Sequence, residues 1–133
     1  MTRGVIADTG PLYAAVDADD QFHGRAQRGL TRLARERREV VLAYTTLLEA
    51  YTLVVFRLGN HAAASFVTEI SAGTSFINPT PDDYRYAIQN ATRFRDRKIT
   101  LFDATVAVLA ERLHLQVWTF DHHFDVMRAP VWR

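Results

Sequence analysis

Four acidic side chains stand in otherwise uncharged stretches of this chain. Asp8 lies in Val-Ile-Ala-Asp-Thr-Gly, Glu49 in Thr-Thr-Leu-Leu-Glu-Ala-Tyr, Asp103 in Ile-Thr-Leu-Phe-Asp-Ala-Thr-Val and Asp121 in Trp-Thr-Phe-Asp-His-His-Phe. Charged residues are seldom placed in such runs unless they are paired or bind a metal. Brought together, several carboxylates raise one another's pKa values and destabilise a fold that has no cation to neutralise them. Ligands that are all carboxylate oxygens suit Mg²⁺ or Mn²⁺, whereas zinc favours histidine or cysteine. Such an ion lowers the pKa of bound water and stabilises charge growing on a phosphoryl oxygen, so phosphodiester hydrolysis is the chemistry this set serves best.

Each acid also has a structural explanation. Thr46-Leu47-Leu48-Glu49 and Thr100-Leu101-Phe102-Asp103 both fit the capping-box pattern, in which the acid satisfies a helix terminus. Asp8 can cap the helix that follows it, and Asp121 can open a turn. Four independent caps have no reason to converge on one edge of a sheet, whereas a site requires it.

The elements that would position these acids alternate between strand and helix. Val5-Ile6-Ala7 is a short apolar run ending at Asp8, with Thr9-Gly10-Pro11 as a turn and a helix expected over residues 12–16. Phe22, Ala26, Leu30 and Leu33 mark an amphipathic helix over residues 21–38. Val40 to Ala43 reads as a buried strand. Thr46 is placed to cap a helix ending before Gly59, and Asn60 to cap the next, which ends near Gly73. Ser75-Phe76-Ile77 is a short strand. Thr80-Pro81-Asp82-Asp83 is a strong helix start. Thr100 caps a further helix to about His114. Residues 115–120 read as a strand, and Val131-Trp132-Arg133 as an added edge strand. This alternation predicts one α/β domain over residues 1–133 with a mostly parallel sheet of four or five strands. Ligand sites in such sheets lie beyond the carboxyl ends of the strands, which is where Asp8 and Asp121 fall.

Composition narrows the class without naming a function. At 133 residues, 48% hydrophobic and 23% charged, the chain has room for one sizeable core. It has no cysteine, which excludes disulfides, zinc–thiolate sites and thiol nucleophiles. The first apolar run is too short for a signal peptide or a membrane span, so a cytoplasmic location without membrane contact is the expectation. Net charge is only +1, and fifteen of the sixteen basic residues are arginine, Lys98 being the exception. Arginine is the better phosphate fork, although a GC-rich genome produces the same bias.

In this order and spacing, the four acidic segments resemble the PIN domain, and most closely the VapC toxin branch of toxin–antitoxin modules. Ile-Ala-Asp-Thr-Gly-Pro-Leu resembles that family's first strand and its Asp-Thr/Ser signature. Thr45 to Glu49 resembles the segment carrying its glutamate, Leu101-Phe102-Asp103-Ala104 its third acidic motif, and Trp118 to Phe124 its Thr-x-Asp-x-x-Phe motif. Phe102 departs from the pattern, since the family often has a smaller or polar residue there. The resemblance covers essentially the whole chain. It implies an α/β/α sandwich and an endoribonuclease dependent on Mg²⁺ or Mn²⁺, leaving a 5′-phosphate and a 3′-hydroxyl. It further implies a homodimer that meets RNA as substrate and a cognate antitoxin as inhibitor. Asp8, Glu49, Asp103 and Asp121 would then be the metal-binding acids, with Thr9 or Thr119 hydrogen-bonding a ligand or water.

Other residues are weighed beside these. Arg93, Arg95, Arg97 and Lys98 lead into the Asp103 segment and are the better candidates for RNA contact. Arg25, Arg28, Arg32 and Arg35 share one face of the first long helix, where a solvated surface is the favoured reading over an RNA-binding one. His122 and His123 are expected at the surface or near substrate, pointing apart. Isolated His23, His61 and His114 carry no assignment, and Asp125 is placed at the surface. Trp118 and Phe120 are expected to pack. Leu53, Tyr51 and Phe56 fit either the core or a dimer surface. Two rivals remain: a haloacid dehalogenase-type phosphatase, which needs an aspartate where Gly10 stands, and a PIN-like RNA- or protein-binding scaffold without nuclease activity.

Overall fold

The computed structural model describes residues 4–133. Four strands, β1 (Val5–Ala7), β2 (Val40–Ala43), β3 (Ser75–Ile77) and β4 (Gln116–Trp118), form one sheet in the order β3-β2-β1-β4. All three pairings are parallel, with Ile6 opposite Val41 on one side and Val117 on the other. A parallel sheet needs helical crossovers, and these are α1 (Thr9–Val16), α2 (His23–Arg35), α3 (Tyr44–Leu58), α4 (Asn60–Gly73), α5 (Pro81–Arg93) and α6 (Leu101–Leu113), with α7 (His123–Val126) following the last strand.

Strand alternation divides the core between two faces. Val5, Ala7, Leu42 and Trp118 pack with Leu12, Leu33, Val54 and Phe66 of α1 to α4. Ile6, Ala43 and Val117 point the other way, against Val106, Leu109 and Ala110 of α6 and Phe124 of α7. Helix α5 packs outside α6 through Ala87 against Ala104 and Val108. The result is a three-layer α/β/α sandwich. The Asp83 carboxylate, almost fully buried, ties α5 to α6 by accepting two bonds from Arg112, at 2.9 and 2.7 Å. That pairing holds the Asp83 carboxyl below its usual range and fixes the helix that carries Asp103.

Several boundaries differ from those the sequence suggests. Helix α1 starts at Thr9, so Gly10 and Pro11 lie inside its first turn, where proline's missing N–H does no harm. Helix α2 is shorter at both ends than its apolar period implies. Helix α3 begins at Tyr44, directly off β2, so Thr46 is a buried residue of the first turn and not a cap. Gly59, at φ +92°, links α3 to α4, and Asn60 is the first helical residue rather than its cap. Strand β4 stops at Trp118, and Val131 forms a single isolated bridge to Val117 instead of a full edge strand. The Thr80 capping box, with proline in the first helical turn, forms as expected. Tyr51 and Phe56 lie outside the core, Phe56 being 83% exposed. Among the described residues no helix is long and apolar enough to cross a membrane.

Candidate active site

The carboxyl ends of β1 and β4 set the floor of the site. The Asp8 backbone N–H donates to the Trp118 carbonyl at 2.9 Å, which ties the end of β1 to the end of β4. Asp8 occupies the N-cap position of α1, yet its side chain makes no capping bond. The carboxylate instead accepts from the Thr119 hydroxyl at 2.8 Å. Asp8 is only 6% exposed. The capping reading is therefore replaced by one in which the carboxylate is held toward a cavity.

Glu49 and Asp103 reach the same cavity from helices. Because α3 starts two residues before Thr46, the Thr46–Glu49 capping box does not exist; Glu49 accepts from the Thr9 hydroxyl of α1. At the head of α6, Thr100 does cap, accepting from the Asp103 N–H at 3.1 Å. Only this half of the box has hydrogen-bond geometry, unlike the reciprocal Thr80–Asp83 pair. Asp121 follows β4: its N–H donates to the Thr119 hydroxyl at 2.9 Å, and its carboxylate accepts from the His123 N–H at 2.9 Å. The turn reading of Asp121 thus holds alongside its place at the site.

All four acids line one cavity of about 550 Å³, together with Thr9, Asp20, Lys98, Arg57, His122 and His123, among others. Burial raises the Asp8 carboxyl to about 7, with Asp103 and then Glu49 adding like-charge repulsion against the lowering bond from Thr119. Burial also raises Asp103, helped by Asp121, and raises Glu49, helped by Asp103 while the Thr9 bond opposes it. Burial is the main cause of each shift and like-charge repulsion adds to it; a divalent cation would oppose both by favouring the charged carboxylates. The donor set fits such an ion: four clustered carboxylates, of which those of Asp8, Glu49 and Asp121 are held by a neighbouring hydroxyl or backbone N–H.

Thr119 is the hinge of this arrangement, donating to Asp8 and bonded by the Asp121 N–H. Thr119→Val keeps the buried shape but leaves Asp8 without its donor. Calorimetric titration with Mn²⁺ should show affinity lowered about 10- to 100-fold, and urea unfolding should show a loss of about 1–3 kcal/mol from the Asp8 carboxylate and Asp121 N–H left without their partner. Unchanged affinity would remove Thr119 from the site.

The structure separates the other candidates. Lys98 lines the cavity, whereas Arg93, Arg95 and Arg97 do not. Asp125 pairs with Arg133 away from it. His23 is satisfied by the Ala14 carbonyl at 2.7 Å. His122 and His123 do not point apart: their rings lie 4.4 Å between centroids, and His123 Nδ1 sits 3.1 Å from Asp121. With Asp121 they form a compact group of potential ligand atoms. Trp118 packs as expected, but Phe120 forms part of the cavity wall. Sequence reading missed Tyr13, Asp20, Phe22 and Arg57 as lining residues. Asp20 lies in the acidic run Asp17-Ala18-Asp19-Asp20, and nothing in its spacing ties it to the other acids.

Comparison with known proteins follows the same lines. The PIN domain family model matches residues 5–130. The chain is 27% identical over 127 residues to ribonuclease VapC26 of Mycobacterium tuberculosis, across 93% of this chain and 92% of the relative. Its fold is similar to that of VapC20 from the same organism, a sarcin-ricin loop cleaving toxin, with TM-score 0.85 and 24% identity over 98% of this chain and 99% of the other. It is also similar to VapBC2 of Rickettsia felis, solved bound to a DNA fragment from its promoter, with TM-score 0.75 and 14% identity over 97% and 96% of the two chains.

Proposed function

The chain belongs to the PIN domain family, and from that premise we propose that it is a divalent-metal-dependent endoribonuclease, the toxin of a toxin–antitoxin module. The observation that carries this reading is the shared cavity of Asp8, Glu49, Asp103 and Asp121, in which burial, with repulsion from Asp103 and Glu49, raises the Asp8 carboxyl to about 7. Membership in a family whose similar members include a named ribonuclease supplies the substrate class. The partner we assign is a cognate antitoxin, in keeping with the toxin–antitoxin complexes among structures of similar fold.

In this reading Asp8, Glu49, Asp103 and Asp121 hold Mg²⁺ or Mn²⁺. When bound, the ion lowers the pKa of a water and offsets charge on the phosphoryl group. Thr119 and Thr9 fix the orientation of Asp8 and Glu49 by donating to their carboxylates. Lys98 and Arg57, the cationic side chains of the lining, meet the phosphate that enters. Hydrolysis forms a bond from water oxygen to phosphorus and breaks the bond to the 3′ oxygen, which takes up a proton. The products are a 5′-phosphate and a 3′-hydroxyl. The exposed Leu48, Tyr51 and Phe56 on α3 supply an apolar surface suited to the homodimer.

The test is cleavage of total RNA by the purified protein with Mg²⁺, with Mn²⁺ and with EDTA. Cleavage that requires metal and is lost in Asp103→Asn is the expected result. Activity surviving both EDTA and Asp103→Asn would reject the metal-dependent reading. Protein that binds RNA but leaves it intact under every condition would assign the chain to the scaffold class instead.

A further inference from the structure

Three of the four arginines spaced along α2 converge on a second hollow. Arg25, Arg28 and Arg32 line a groove of about 190 Å³ whose other walls include Phe120, Trp132 and Arg133. Arg35, one turn further on, is not part of it. Gly29 lets α2 approach closely here, since a Cβ at this position would come within 2.9 Å of the buried Trp118 ring. Phe120 lines both this groove and the four-carboxylate cavity, so the two hollows meet at its ring.

The arginines are arranged as receivers of an anion. The Arg25 guanidinium lies 4.4 Å from the Phe120 ring centroid, and that of Arg32 lies 4.4 Å from the Trp132 ring. Stacking on an aromatic face fixes the plane of a guanidinium and leaves its N–H edge free for bidentate bonds to phosphate oxygens. Among the described residues, Arg25 and Arg28 form no ion pair, whereas Arg32 bonds Glu36 and Arg133 bonds Asp125. Gathering guanidinium groups with so few carboxylates is unfavourable unless an anion joins them.

We propose that this groove carries the RNA strand as it leaves the catalytic cavity past Phe120, with Arg25 and Arg28 binding backbone phosphates flanking the scissile one. The proposal rests on the nuclease reading, because the shared Phe120 wall gives it its direction. Phosphate contacts position a strand without reading its sequence. The groove therefore sets affinity for long substrates and leaves the choice of cleaved site to other contacts.

The test compares wild type with the double variant Arg25→Ala/Arg28→Ala, using Arg35→Ala as a same-helix control outside the groove. Cleavage of total RNA should show KM raised about tenfold with kcat nearly unchanged. On the Asp103→Asn background, binding of a fluorescein-labelled single-stranded RNA of mixed sequence should have a log–log salt slope shallower by about 1.4, from two lost contacts at about 0.7 each. A dinucleotide substrate, too short to reach the groove, should be cleaved equally by all three proteins. Unchanged KM and salt slope in the double variant, while wild type still cleaves, would overturn this inference alone. So would an equal loss in Arg35→Ala. Unchanged RNA affinity with weakened binding of poly-L-glutamate would overturn it in favour of an acidic polypeptide. Wild type that cleaves no RNA with any metal would overturn the nuclease reading and this inference with it.

Discussion

Asp8→Asn is expected to abolish RNA cleavage, by about 10³-fold or more, while making the metal-free protein more stable near neutral pH. Both effects come from one geometry. Asparagine still accepts the Thr119 hydroxyl bond but cannot supply a charged ligand to the ion, and loss of several kcal/mol of charge stabilisation corresponds to a rate loss of that order. The stability gain follows from burial and from the neighbouring Asp103 and Glu49, which lift Asp8 from 3.8 to about 7. Its folded pKa exceeds its unfolded one, so between these values the folded state binds more protons. That contribution is fully present below about 4 and is lost as pH rises through about 7. The loss is on the order of a few kcal/mol. Thermal unfolding in EDTA should therefore show wild type weakening between pH 5 and 7.5, and Asp8→Asn weakening much less. Adding Mn²⁺ should restore the wild type and leave the variant unmoved. Parallel pH profiles for the two proteins would contradict the crowded-carboxylate account.

Phe124→Ala is expected to be among the costliest single substitutions for stability, at about 3–5 kcal/mol. The ring is fully buried on the second face of the sheet, with Ile6, Val117 and Leu109. It anchors α7 and the tail, whose Ala129 N–H bonds the Phe124 carbonyl at 2.9 Å. Asp121 enters the site three residues earlier, so a cavity here should also lower activity in whatever folded protein remains. Phe56→Ala is the matched control: at 83% exposure, its monomer stability should stay within about 0.5 kcal/mol of wild type. Urea unfolding of the two variants makes the comparison. A cost below about 1 kcal/mol at position 124 would mean that the motif's phenylalanine anchors nothing.

How far the sequence discloses this site differs from residue to residue. Asp8 and Asp121 were legible because each ends an apolar run, and a parallel sheet gathers such ends on one edge. Strand β2 was legible as the apolar run Val40 to Ala43, and β3 as a short run ahead of Asn78-Pro79. Glu49 and Asp103 were ambiguous, since a carboxylate three residues after a threonine is equally the mark of a cap. Only the real start of α3 at Tyr44 removes Thr46 from the cap position and frees Glu49. For Asp103 the ambiguity was genuine, because Thr100 does cap that helix. The α2 arginines show the limit from another side. Their shared face was plain in the 3.6-residue period, but Phe120 and Trp132 reach that face from distant segments, and no local pattern carries such a meeting. The pairing of His122 and His123 on Asp121 was likewise hidden, as neighbouring side chains diverge in extended chain and here lie at the tight entry to α7.

The central claim is that the four carboxylates hold a divalent cation, and a crystal structure grown with Mn²⁺ tests it most directly. Anomalous density inside the cavity, with Asp8 and Asp103 among the ligands and Thr119 still bonded to Asp8, is the predicted result. A fully formed cavity that stays empty at saturating Mn²⁺, or an ion bound elsewhere while these carboxylates remain unliganded, would contradict it.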